Sequence, residues 1–454
     1  MRLTILTIQD VAEQHLCCGC GACAYMSPDE IEMIDVADQG RRPRVKNGNP
    51  KDVGSKEAMR ICPGIELEHT FKEDAPGLIR EMAPAWGPIL EVWEGYAADP
   101  EFRYAGSSGG VLSALGLYGI ERGGMHGVLH IASRPDVPYL NHTVLSTTRN
   151  ELLLRTGSRY APASPCDGLR MIEDAPRPCV FIGKPCDVAA VQQARKIRPA
   201  LHEKLGVTIA FFCAGTPSTQ GTLEMLKHMG IDDPSTLVSL RYRGNGWPGK
   251  AIAIVRTRAG EETRELTYEQ SWGEVLTNYK QWRCKICPDH SGEFADIAVG
   301  DPWYRPIGDG EPGRSLILAR SELGLRMLRG AINDGYLAAQ PADPLILPRS
   351  QPNLLKARGA VWGRLLGMRV LGLTTPRFKR FPLFPFWWSM LDVTDKARSF
   401  FGTIRRVVRS RMWSPAQKIP HTDRQTSTLR VNTEAPTCPG ENASEASTVS
   451  ANER

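Results

Sequence analysis

Short apolar runs that alternate with stretches of helical periodicity dominate the middle of the chain. The run Cys179–Gly183 predicts a buried strand, and the pattern of Asp187–Lys196 predicts the helix that follows it. A helix is also predicted at Glu322–Asn333, and further strands are predicted at Val207–Cys213, Ala251–Val255, Asp296–Val299 and Ser315–Ala319. Strands that alternate with helices predict an α/β domain over residues 84–340, with a mixed, largely parallel sheet and no internal repeat.

A helix start is predicted soon after Cys213. Thr216 is typical of an N-cap and Pro217 of the first helical position. The helix should therefore extend from these residues to Met229.

The two ends of the chain depart from this pattern. Residues 11–68 contain several glycine-rich loops and are too few to form an independent hydrophobic core, so this segment needs a staple. Residues 341–413 form a basic, aromatic extension. Residues 414–454 are rich in Ser, Thr, Asn, Pro and Glu, which predicts a disordered tail with Cys438 as an idle thiol.

The composition is typical of a globular protein and argues against a membrane-spanning or disulfide-rich one. With 454 residues, of which 41% are hydrophobic and 23% charged, the chain can bury the cores of two or three domains. No apolar run approaches the roughly 18 residues that span a bilayer, and the first residues lack the order of a signal peptide, so a cytoplasmic protein is expected. Twelve cysteines are too few for a disulfide scaffold of this length, so clustered thiols favour metal ligands or redox groups.

The net charge of +6 is unevenly distributed. Between Lys356 and Trp413, thirteen Lys and Arg residues stand against only Asp392 and Asp395. The aromatic residues interleaved with these charges are Phe378, Phe381, Phe384, Phe386, Trp387 and Trp388. Such a segment suits nucleic acid, an anionic membrane surface or an acidic partner, or it is a solvated appendage with its own small core. Of these contacts we retain peripheral membrane contact through 356–413 and expect no nucleic acid.

A glycine-rich loop carries Cys17, Cys20 and Cys23 at C-x2-C-x2-C spacing. Three thiolates at this spacing can wrap one face of a 4Fe-4S cluster, because the glycines let backbone N–H groups turn toward the sulfurs. Cys62, which precedes a proline, supplies the fourth ligand. Four thiolates also suit zinc, but zinc ribbons prefer two paired C-x2-C arms to three cysteines plus one. The sequence predicts a ferredoxin-like iron-sulfur module in which Cys18 is a bystander.

One cluster rather than two is expected in this module. Ser27 stands where a two-cluster ferredoxin has its cysteine before proline. Ser55 and Ala58 stand where the first two ligands of the other half would fall. These replacements remove a single complete cluster and leave the ligands of the other.

Four more cysteines are dispersed along the chain. Cys186 follows a predicted strand, Cys213 ends the next one, and Cys284 with Cys287 forms a C-x2-C pair. Because the carboxyl ends of neighbouring parallel strands meet at one edge of a sheet, these thiols can converge there. They predict a second cluster, with single buried thiols, a zinc arm or a dithiol as alternatives.

A turn of small residues precedes the apolar helix predicted from Val111 to Ile120; its residues are Gly106, Ser107, Ser108, Gly109 and Gly110. Free N–H groups at a helix start bind phosphate, so the turn is a candidate pyrophosphate site. It also fits G-x-S-x-G with Ser108 as a hydrolase nucleophile, but polar residues and a proline precede it instead of a buried strand. A plain turn before a helix is the other alternative. No G-x-G-x-x-G motif follows a strand, so the usual dinucleotide fingerprint is missing.

Together these motifs resemble the beta subunit family of coenzyme F420 hydrogenase/dehydrogenase. The resemblance covers about residues 11–340. It rests on the loop Cys17–Cys23, the turn Gly106–Gly110, Gly157–Tyr160, Gly183–Cys186, Phe212–Cys213, Tyr242–Trp247, Cys284–Asp289 and Ala295–Asp301, in that order. Arg159 stands where the family pattern suggests lysine, which alters shape and proton chemistry at a contact to deazaflavin or substrate.

The resemblance implies FAD, one or two 4Fe-4S clusters and, in archaeal members, a site for the deazaflavin coenzyme F420. It implies cofactor contacts from Ser107, Ser108, Gly109, Gly110, Gly183, Lys184, Pro185, Tyr160 and Asp301. The candidate catalytic residues are Lys184, Asp289 and Asn245, with Lys184 placing its charge near a phosphate or the reduced flavin. Capping and loop hydrogen bonds explain Asp289, Asn245 and Asp301 equally well.

The leading hypothesis is an iron-sulfur flavoprotein oxidoreductase that passes electrons between clusters, FAD and a hydride carrier or organic substrate. A ferredoxin-dependent reductase of an organic substrate, such as a chlorophyll-type tetrapyrrole, would share every cofactor. A zinc-stapled binding protein with a basic C-terminus is the alternative of another class. The expected partners are ferredoxin or a partner redox subunit, in a homo-oligomer or hetero-oligomer.

Overall fold

The central sheet is built from the short apolar runs of the middle of the chain. The computed structural model describes residues 5–46, 56–71, 75–306, 308 and 310–416. Ser55, Cys438 and the predicted tail beyond residue 416 lie outside these ranges. The strands are β1 (Ile31–Val36), β2 (Gly40–Val45), β3 (Glu66–Glu68), β4 (Glu91–Ala97), β5 (Val128–Ser133), β6 (Asn141–Ser146), β7 (Cys179–Gly183), β8 (Leu205–Phe211), β9 (Leu237–Arg241), β10 (Ala251–Thr257), β11 (Gly260–Leu266), β12 (Ile297–Gly300), β13 (Ser315–Ala319), β14 (Leu337–Pro341) and β15 (Arg377–Lys379).

Most of the helices are short and pack around this sheet or at the two ends of the chain. They are α1 (Ile8–Glu13), α2 (Ala22–Met26), α3 (Lys56–Arg60), α4 (Ala83–Trp86), α5 (Pro100–Ala105), α6 (Val111–Glu121), α7 (Arg149–Leu154), α8 (Arg170–Glu173), α9 (Pro185–Ala194), α10 (Pro199–Lys204), α11 (Thr219–His228), α12 (Trp282–Lys285), α13 (Glu322–Asn333), α14 (Ile346–Ser350), α15 (Pro352–Gly359), α16 (Val361–Val370), α17 (Leu383–Met390) and α18 (Val393–Arg409). The predicted helix Glu322–Asn333 is confirmed to the residue.

The large sheet has eight strands in the order β14, β4, β13, β12, β8, β7, β5, β6. The pairs β5–β7, β7–β8 and β8–β12 are parallel, and the other four pairs are antiparallel. The mixed sheet is confirmed, although parallel pairing is confined to its centre. Strands β4, β5, β7, β8 and β12 run in the same direction, so their carboxyl ends share one edge, which we call the carboxyl edge.

A second, smaller sheet contains β9, β10 and β11, all antiparallel. The predicted strand Ala251–Val255 belongs here rather than to the central sheet. Its inward residues Ala251, Ala253 and Val255 alternate with more exposed ones, as expected for a sheet covered on one face.

The predicted helix start at Thr216 and Pro217 is wrong. Helix α11 begins at Thr219, with Ser218 as the N-cap. Pro217 instead pairs with Lys280, and the Ser218 N–H donates to the Tyr279 carbonyl at 3.0 Å. These contacts hold the segment extended beside residues 279–281, so the helix starts later.

Segments 11–68 and 341–413, expected as a separate module and a separate extension, share a hydrophobic core. Val11 and Leu16 of the first segment pack in one cluster with Val361, Leu365 and Val407 of the second. Strand β3 also pairs in parallel with β15. All described residues belong to one compact unit. The alternative of an appendage with its own small core is therefore wrong, and cysteine ligation is not all that holds residues 11–68 in place.

Candidate metal centre and cofactor site

The first cysteine group consists of Cys17, Cys20, Cys23 and Cys62, and its thiols lie close together. Burial raises the pKa of Cys23 well above its ordinary value, and the neighbouring Cys17, Cys20 and Cys62 raise it further. Burial also raises the pKa of Cys62, followed by the effects of Cys20 and Cys17. The four thiols of the predicted set are therefore neighbours in the fold. Ala58, where a second cluster's ligand would fall, is fully buried in α3.

Two glycines give the cysteine loop its shape. Gly19 and Gly21 have φ angles of +72° and +89°, which favour glycine. A Cβ on Gly21 would lie 2.9 Å from the Asp167 backbone nitrogen, so the loop packs tightly on residues 164–167. The Gly19 N–H donates to the Cys17 sulfur at 3.3 Å. This contact is of the kind that the glycine-rich motif predicts around a thiolate.

Cys166 is a buried thiol beside the first group that sequence reasoning missed. Its N–H donates to the Cys20 carbonyl at 3.0 Å. The Cys166 thiol donates to the Asp187 carbonyl at 3.5 Å, and the presence of this thiol beside Cys20 lowers the pKa of Cys20. No local motif surrounds Cys166, so only the folded contact reveals it.

The second group consists of Cys186, Cys213, Cys284 and Cys287, and the structure brings these thiols together. Cys186 lies in the first turn of α9, and Cys213 follows β8 at the carboxyl edge. Burial raises the pKa of Cys213, as do Cys284 and Cys186 nearby. Burial likewise raises the pKa of Cys287, which also lies near Cys186 and Cys284. The Thr216 N–H donates to the Cys284 sulfur at 3.3 Å.

Cys18 connects the two groups. The neighbouring Cys186 lowers the pKa of Cys18 and burial raises it, with a net rise. Cys17 and Cys20 of the first group also raise this pKa, and Arg283 lowers it. That Cys18 is a bystander to ligation stays a prediction, and the structure adds that this thiol lies where the two cysteine groups meet.

Arg283 is a charged residue that lies near both cysteine groups, and no motif in the sequence pointed to it. Its guanidinium is buried and donates to the Pro63 carbonyl, beside Cys62, at 3.0 Å. Burial lowers the pKa of Arg283, but Cys18 and Cys287 raise it to a net increase. A fixed positive charge at this position stabilises thiolates on both sides.

Lys184 lies beside the second group and is already paired. Its ammonium donates to Asp187 Oδ2 at 2.7 Å, and both side chains are buried. Burial lowers the pKa of Lys184, but Asp187, Cys186 and Cys213 raise it to a net increase. Pro185 occupies the start of α9, and a Cβ on Gly183 would lie 2.8 Å from the Phe181 ring. The Gly183–Pro185 turn therefore faces the cysteines and its own strand.

Asp289 caps the loop that follows Cys287. Its carboxylate accepts N–H groups from Ser291, Gly292 and Glu293 at 3.0, 2.7 and 2.9 Å. Burial raises the pKa of Asp289 to about 6, and Glu293 contributes to the rise. This arrangement is the loop-capping alternative stated for Asp289, so the side chain shapes the loop next to the cysteines.

Arginines from the C-terminal extension hold the same loop. Arg358 donates to the Pro288 carbonyl at 2.5 Å and forms a buried ion pair with Glu293. Arg364 donates to the Lys285 carbonyl. Glu293 also contacts His69 at 2.6 Å. The residues around Cys284 and Cys287 are thus positioned by side chains far away in the sequence.

The Gly106–Gly110 turn lies at the carboxyl edge between β4 and β13, and both of its serine hydroxyls have partners within the chain. Ser107 Oγ accepts the Ser158 N–H at 2.6 Å, and Ser108 Oγ donates to the Arg314 carbonyl at 2.8 Å. A Cβ on Gly109 would lie 2.9 Å from Arg314 Cα, and one on Gly110 would lie 2.3 Å from the Phe102 carbonyl oxygen. These glycines are required by packing within the chain. Helix α6, which follows, has no side-chain cap hydrogen bond.

The remaining predicted contacts lie near the same edge. Asp301 follows β12 and forms a buried ion pair with Arg243 at 2.6 Å, and it accepts the Trp247 indole N–H at 2.9 Å. Asn245 is exposed in a loop, with a φ of +56°. Tyr160 packs against Trp272 with ring centroids 4.6 Å apart. The structure does not bring Asn245 next to Asp289 through any described contact.

Arg159, the departure from the family pattern, is fixed by backbone contacts. Its guanidinium donates to Asn141 Oδ1 at 2.7 Å and to the carbonyls of Leu240 and Pro138 at 2.6 and 2.7 Å. Lysine cannot make this set of planar contacts. At this position arginine ties β9 to the segment before β6.

The cysteine groups fit 4Fe-4S clusters better than the Gly106–Gly110 turn fits the pyrophosphate of FAD. Eight cysteine thiols in two adjoining sets fit two cubane clusters, because iron-sulfur clusters are held by Cys thiolates. Within the described ranges, no three His, Cys, Asp or Glu residues are arranged to hold a single metal ion. At the Gly106–Gly110 turn, the start of α6 fits an anionic group, whereas the serine hydroxyls already have protein partners.

Comparison with known proteins identifies the family to which this chain belongs. The model for the N-terminal part of the coenzyme F420 hydrogenase/dehydrogenase beta subunit matches residues 92–169, and the model for its C-terminal part matches residues 177–344. Together they cover more than half of the chain.

Three relatives illustrate the similarity. The F420-dependent formate dehydrogenase 1 subunit beta of Methanococcus maripaludis is 26% identical over 256 residues, which cover 56% of this chain and 62% of that protein. The coenzyme F420 hydrogenase subunit beta of Methanococcus voltae is 26% identical over 254 residues, covering 54% and 82%. A chain of the F420-reducing NiFe hydrogenase complex from Methanosarcina barkeri has the same fold, with a TM-score of 0.51, 21% identity, and coverage of 66% and 98%. This chain therefore belongs to the coenzyme F420 hydrogenase/dehydrogenase beta subunit family, a family of oxidoreductase subunits.

Proposed function

We propose that this chain is an iron-sulfur flavoprotein oxidoreductase that passes electrons between two 4Fe-4S clusters, FAD, and a hydride carrier or organic substrate. The observation that carries the proposal is the meeting of two four-cysteine groups at Cys18 and Cys186, beside the carboxyl edge of the sheet. The family membership supports an oxidoreductase.

When bound, FAD would supply a hydride acceptor that can also exchange electrons one at a time with the iron-sulfur clusters. The chain provides their placement. Ser108 contacts the start of β13, and three strand spacings separate β13 from β7, so the Gly106–Gly110 turn lies about 14 Å from the strand that leads to Cys186. An extended dinucleotide can span this edge.

The buried charges around the cysteines would set the electrostatics. Arg283 and Lys184 are buried and place positive charge next to the thiols. Buried charges act more strongly on their neighbours than charges in water do. Asp289 keeps the loop after Cys287 in one conformation through three backbone hydrogen bonds.

Coenzyme F420 is the hydride carrier that the relatives' names suggest. We propose F420 or an organic substrate as the two-electron partner, and ferredoxin or a partner redox subunit as the one-electron partner, in a cytoplasmic homo-oligomer or hetero-oligomer. The relatives are named as subunits of a hydrogenase and a dehydrogenase, which favours a hetero-oligomer.

The test is to purify the full chain without oxygen, and to measure iron, sulfide, zinc and flavin in the same sample. We expect about eight iron atoms per chain, bound flavin and a brown-yellow colour. Bleaching of the absorbance on addition of reduced F420, NAD(P)H or reduced ferredoxin then identifies the electron donor. A colourless protein that contains zinc would overturn the proposal.

The flavin position has its own test at Ser107. Asp at this position still accepts the Ser158 N–H but places a negative charge before α6, where it would repel a pyrophosphate. Asn is the matched neutral control. We expect Ser107→Asp to bind FAD about fivefold more weakly than Ser107→Asn, with unchanged iron content. Equal flavin content in both variants would show that the pyrophosphate lies elsewhere.

A further inference from the structure

Large apolar side chains are exposed mainly at one end of the chain. Within the described ranges twelve such side chains are exposed, and eight of them lie between residues 370 and 413: Val370, Phe384, Trp388, Met390, Val393, Phe401, Val408 and Trp413. Single exposed apolar residues are normal on protein surfaces, but a concentration in one segment indicates an interaction site.

Part of this segment is an aromatic cluster on α17. Trp388 is 63% exposed, and its ring lies 6.2 Å from those of both Phe384 and Trp387. The Lys396 ammonium lies 4.8 Å from the centre of the Trp388 ring. Aromatic rings next to a cation are typical of side chains that sit at the boundary between lipid tails and headgroups.

Helix α18 has two different faces. Ser399, Thr403 and Val407 are buried, and Ser399 and Thr403 pack close to the glycines of α16. Four other residues, which do not belong to this buried face, are exposed and follow one another at intervals of three or four positions: Ala397, Phe401, Arg405 and Val408. From Ala397 to Val408, at 1.5 Å per residue, this outward face extends about 17 Å along the helix.

The charges of the outward face are mostly unpaired. Among the described residues, no acidic side chain pairs with Arg405, Arg409 or Arg411. The one acidic residue within α18, Asp395, is paired with Lys356 at 2.5 Å and lies 3.6 Å from Arg398. Free arginines therefore alternate with exposed apolar groups.

We propose that this surface docks on an anionic lipid bilayer. We call it the aromatic-basic face. It consists of Phe401, Arg405, Val408 and Arg409 on α18, together with the exposed Phe384 and Trp388 of α17, which meet α18 where Lys396 lies over the Trp388 ring. Arginines alone would suit any polyanion, but a nucleic acid or a strongly acidic protein offers little apolar surface for Phe401 and Val408. A bilayer surface offers lipid phosphates and acyl chains together, at the spacing of an amphipathic helix.

The described helices include none with the length and hydropathy needed to cross a bilayer. The proposal concerns surface contact, and it stands independently of which cofactors the protein carries. The arginines that hold the loop of Cys284 and Cys287, Arg358 and Arg364, lie in α15 and α16 of the same extension as the membrane contact.

The experiment is co-sedimentation of the purified full-length protein with vesicles. One set contains phosphatidylcholine only, and the other contains about three parts in ten of phosphatidylglycerol. We expect at least about tenfold stronger binding to the anionic vesicles, and weaker binding as the salt concentration rises.

Two pairs of substitutions separate the two components. Phe401→Ser with Trp388→Ser removes apolar contact, and Arg405→Gln with Arg409→Gln removes charge. Each pair should reduce binding to anionic vesicles at least about fivefold. The matched controls are Leu154→Ser with Leu345→Ser and Arg256→Gln with Arg258→Gln, which change exposed residues elsewhere. The controls should bind like the unchanged protein.

Each contrary outcome has a definite meaning, provided that the variants keep the thermal midpoint of the unchanged protein. No binding to anionic vesicles would overturn the proposal. Loss of binding in the arginine pair but not in the aromatic pair would also overturn it, and would indicate a polyanion or an acidic protein instead. If an aromatic pair is unstable, Phe401→Ser alone makes the same comparison, because Phe401 is 65% exposed.

Discussion

The two cysteine groups are built in different ways. In the first group, three thiols come from one loop of seven residues, Cys17–Cys23, and the fourth follows α3. In the second group, the thiols come from three segments separated by up to about a hundred residues, and only the sheet and α12 bring them together. The first group depends on glycine conformations in a loop, whereas the second depends on the whole fold.

Because the two groups are built differently, different substitutions should disturb them. The first group shares its core with the C-terminal extension through Leu16 and Cys17. The second group is held by Arg358 and Arg364 from that extension. Loss of a ligand should act locally in the first case, while loss of a distant arginine should act on the second.

The largest expected effect is the loss of one cluster at a time. Cys23→Ser should remove about four iron atoms per chain, and Cys213→Ser about four others, because each group holds its own cluster. Iron analysis and electron paramagnetic resonance of the two variants would measure this. If either variant keeps its full iron content, the group it belongs to does not bind a cluster through that residue.

The next effect concerns the buried arginine. Arg358→Gln removes the arginine partner of the buried Glu293 and should lower the free energy of unfolding by about 3–5 kcal/mol. Arg398→Gln is the matched control, because its pair with Asp395 is exposed and should contribute less than about 1 kcal/mol. Urea denaturation measures both. Arg358→Gln should also alter the electron paramagnetic resonance signal of the second group only. A changed signal from the first group would contradict the distinction drawn between the two groups.

A pH dependence follows from the same ion pair. Burial raises the pKa of Glu293, but Arg358 and His69 lower it more, to about 2 from its ordinary 4.5. The charged form is therefore favoured in the folded state, so its contribution is fully present above pH 4.5 and is lost as the pH falls toward 2. The full contribution is about 3 kcal/mol. Urea midpoints of the unchanged protein and of Glu293→Gln should converge as the pH falls below 4.5; parallel curves would contradict this.

The smallest effect is expected at the contact between the groups. Cys18→Ser keeps a hydrogen-bonding group next to Cys186, so the iron content should not change, while the reduction potential of the second cluster should shift by some tens of millivolts. Cys166→Ser is the matched control beside Cys20 and should shift the potential of the first cluster instead. Redox titration of both variants measures the shifts. Loss of iron in Cys18→Ser would make Cys18 a ligand.

Local chemistry explains the parts of the fold that could be predicted. Apolar runs of strand length at Cys179–Gly183 and Ser315–Ala319, and the amphipathic helix Glu322–Asn333, depend mainly on neighbouring residues. Thr216 and Pro217 fit a helix start equally well by composition, but pairing of Pro217 with Lys280 overrides that preference. Long-range pairing can override local propensity because the difference between alternative helix starts is small.

The same division applies to the site. The loop Cys17–Cys23 could be predicted, because ligand spacing and glycine conformations are local properties. Contacts between distant segments could not: Cys18 lies beside Cys186, Arg283 contacts Pro63, and Lys184 pairs with Asp187. The same holds for the core that the C-terminal extension shares with residues 11–68. Burial against distant segments sets these contacts, and no spacing along the chain encodes which buried surfaces will meet.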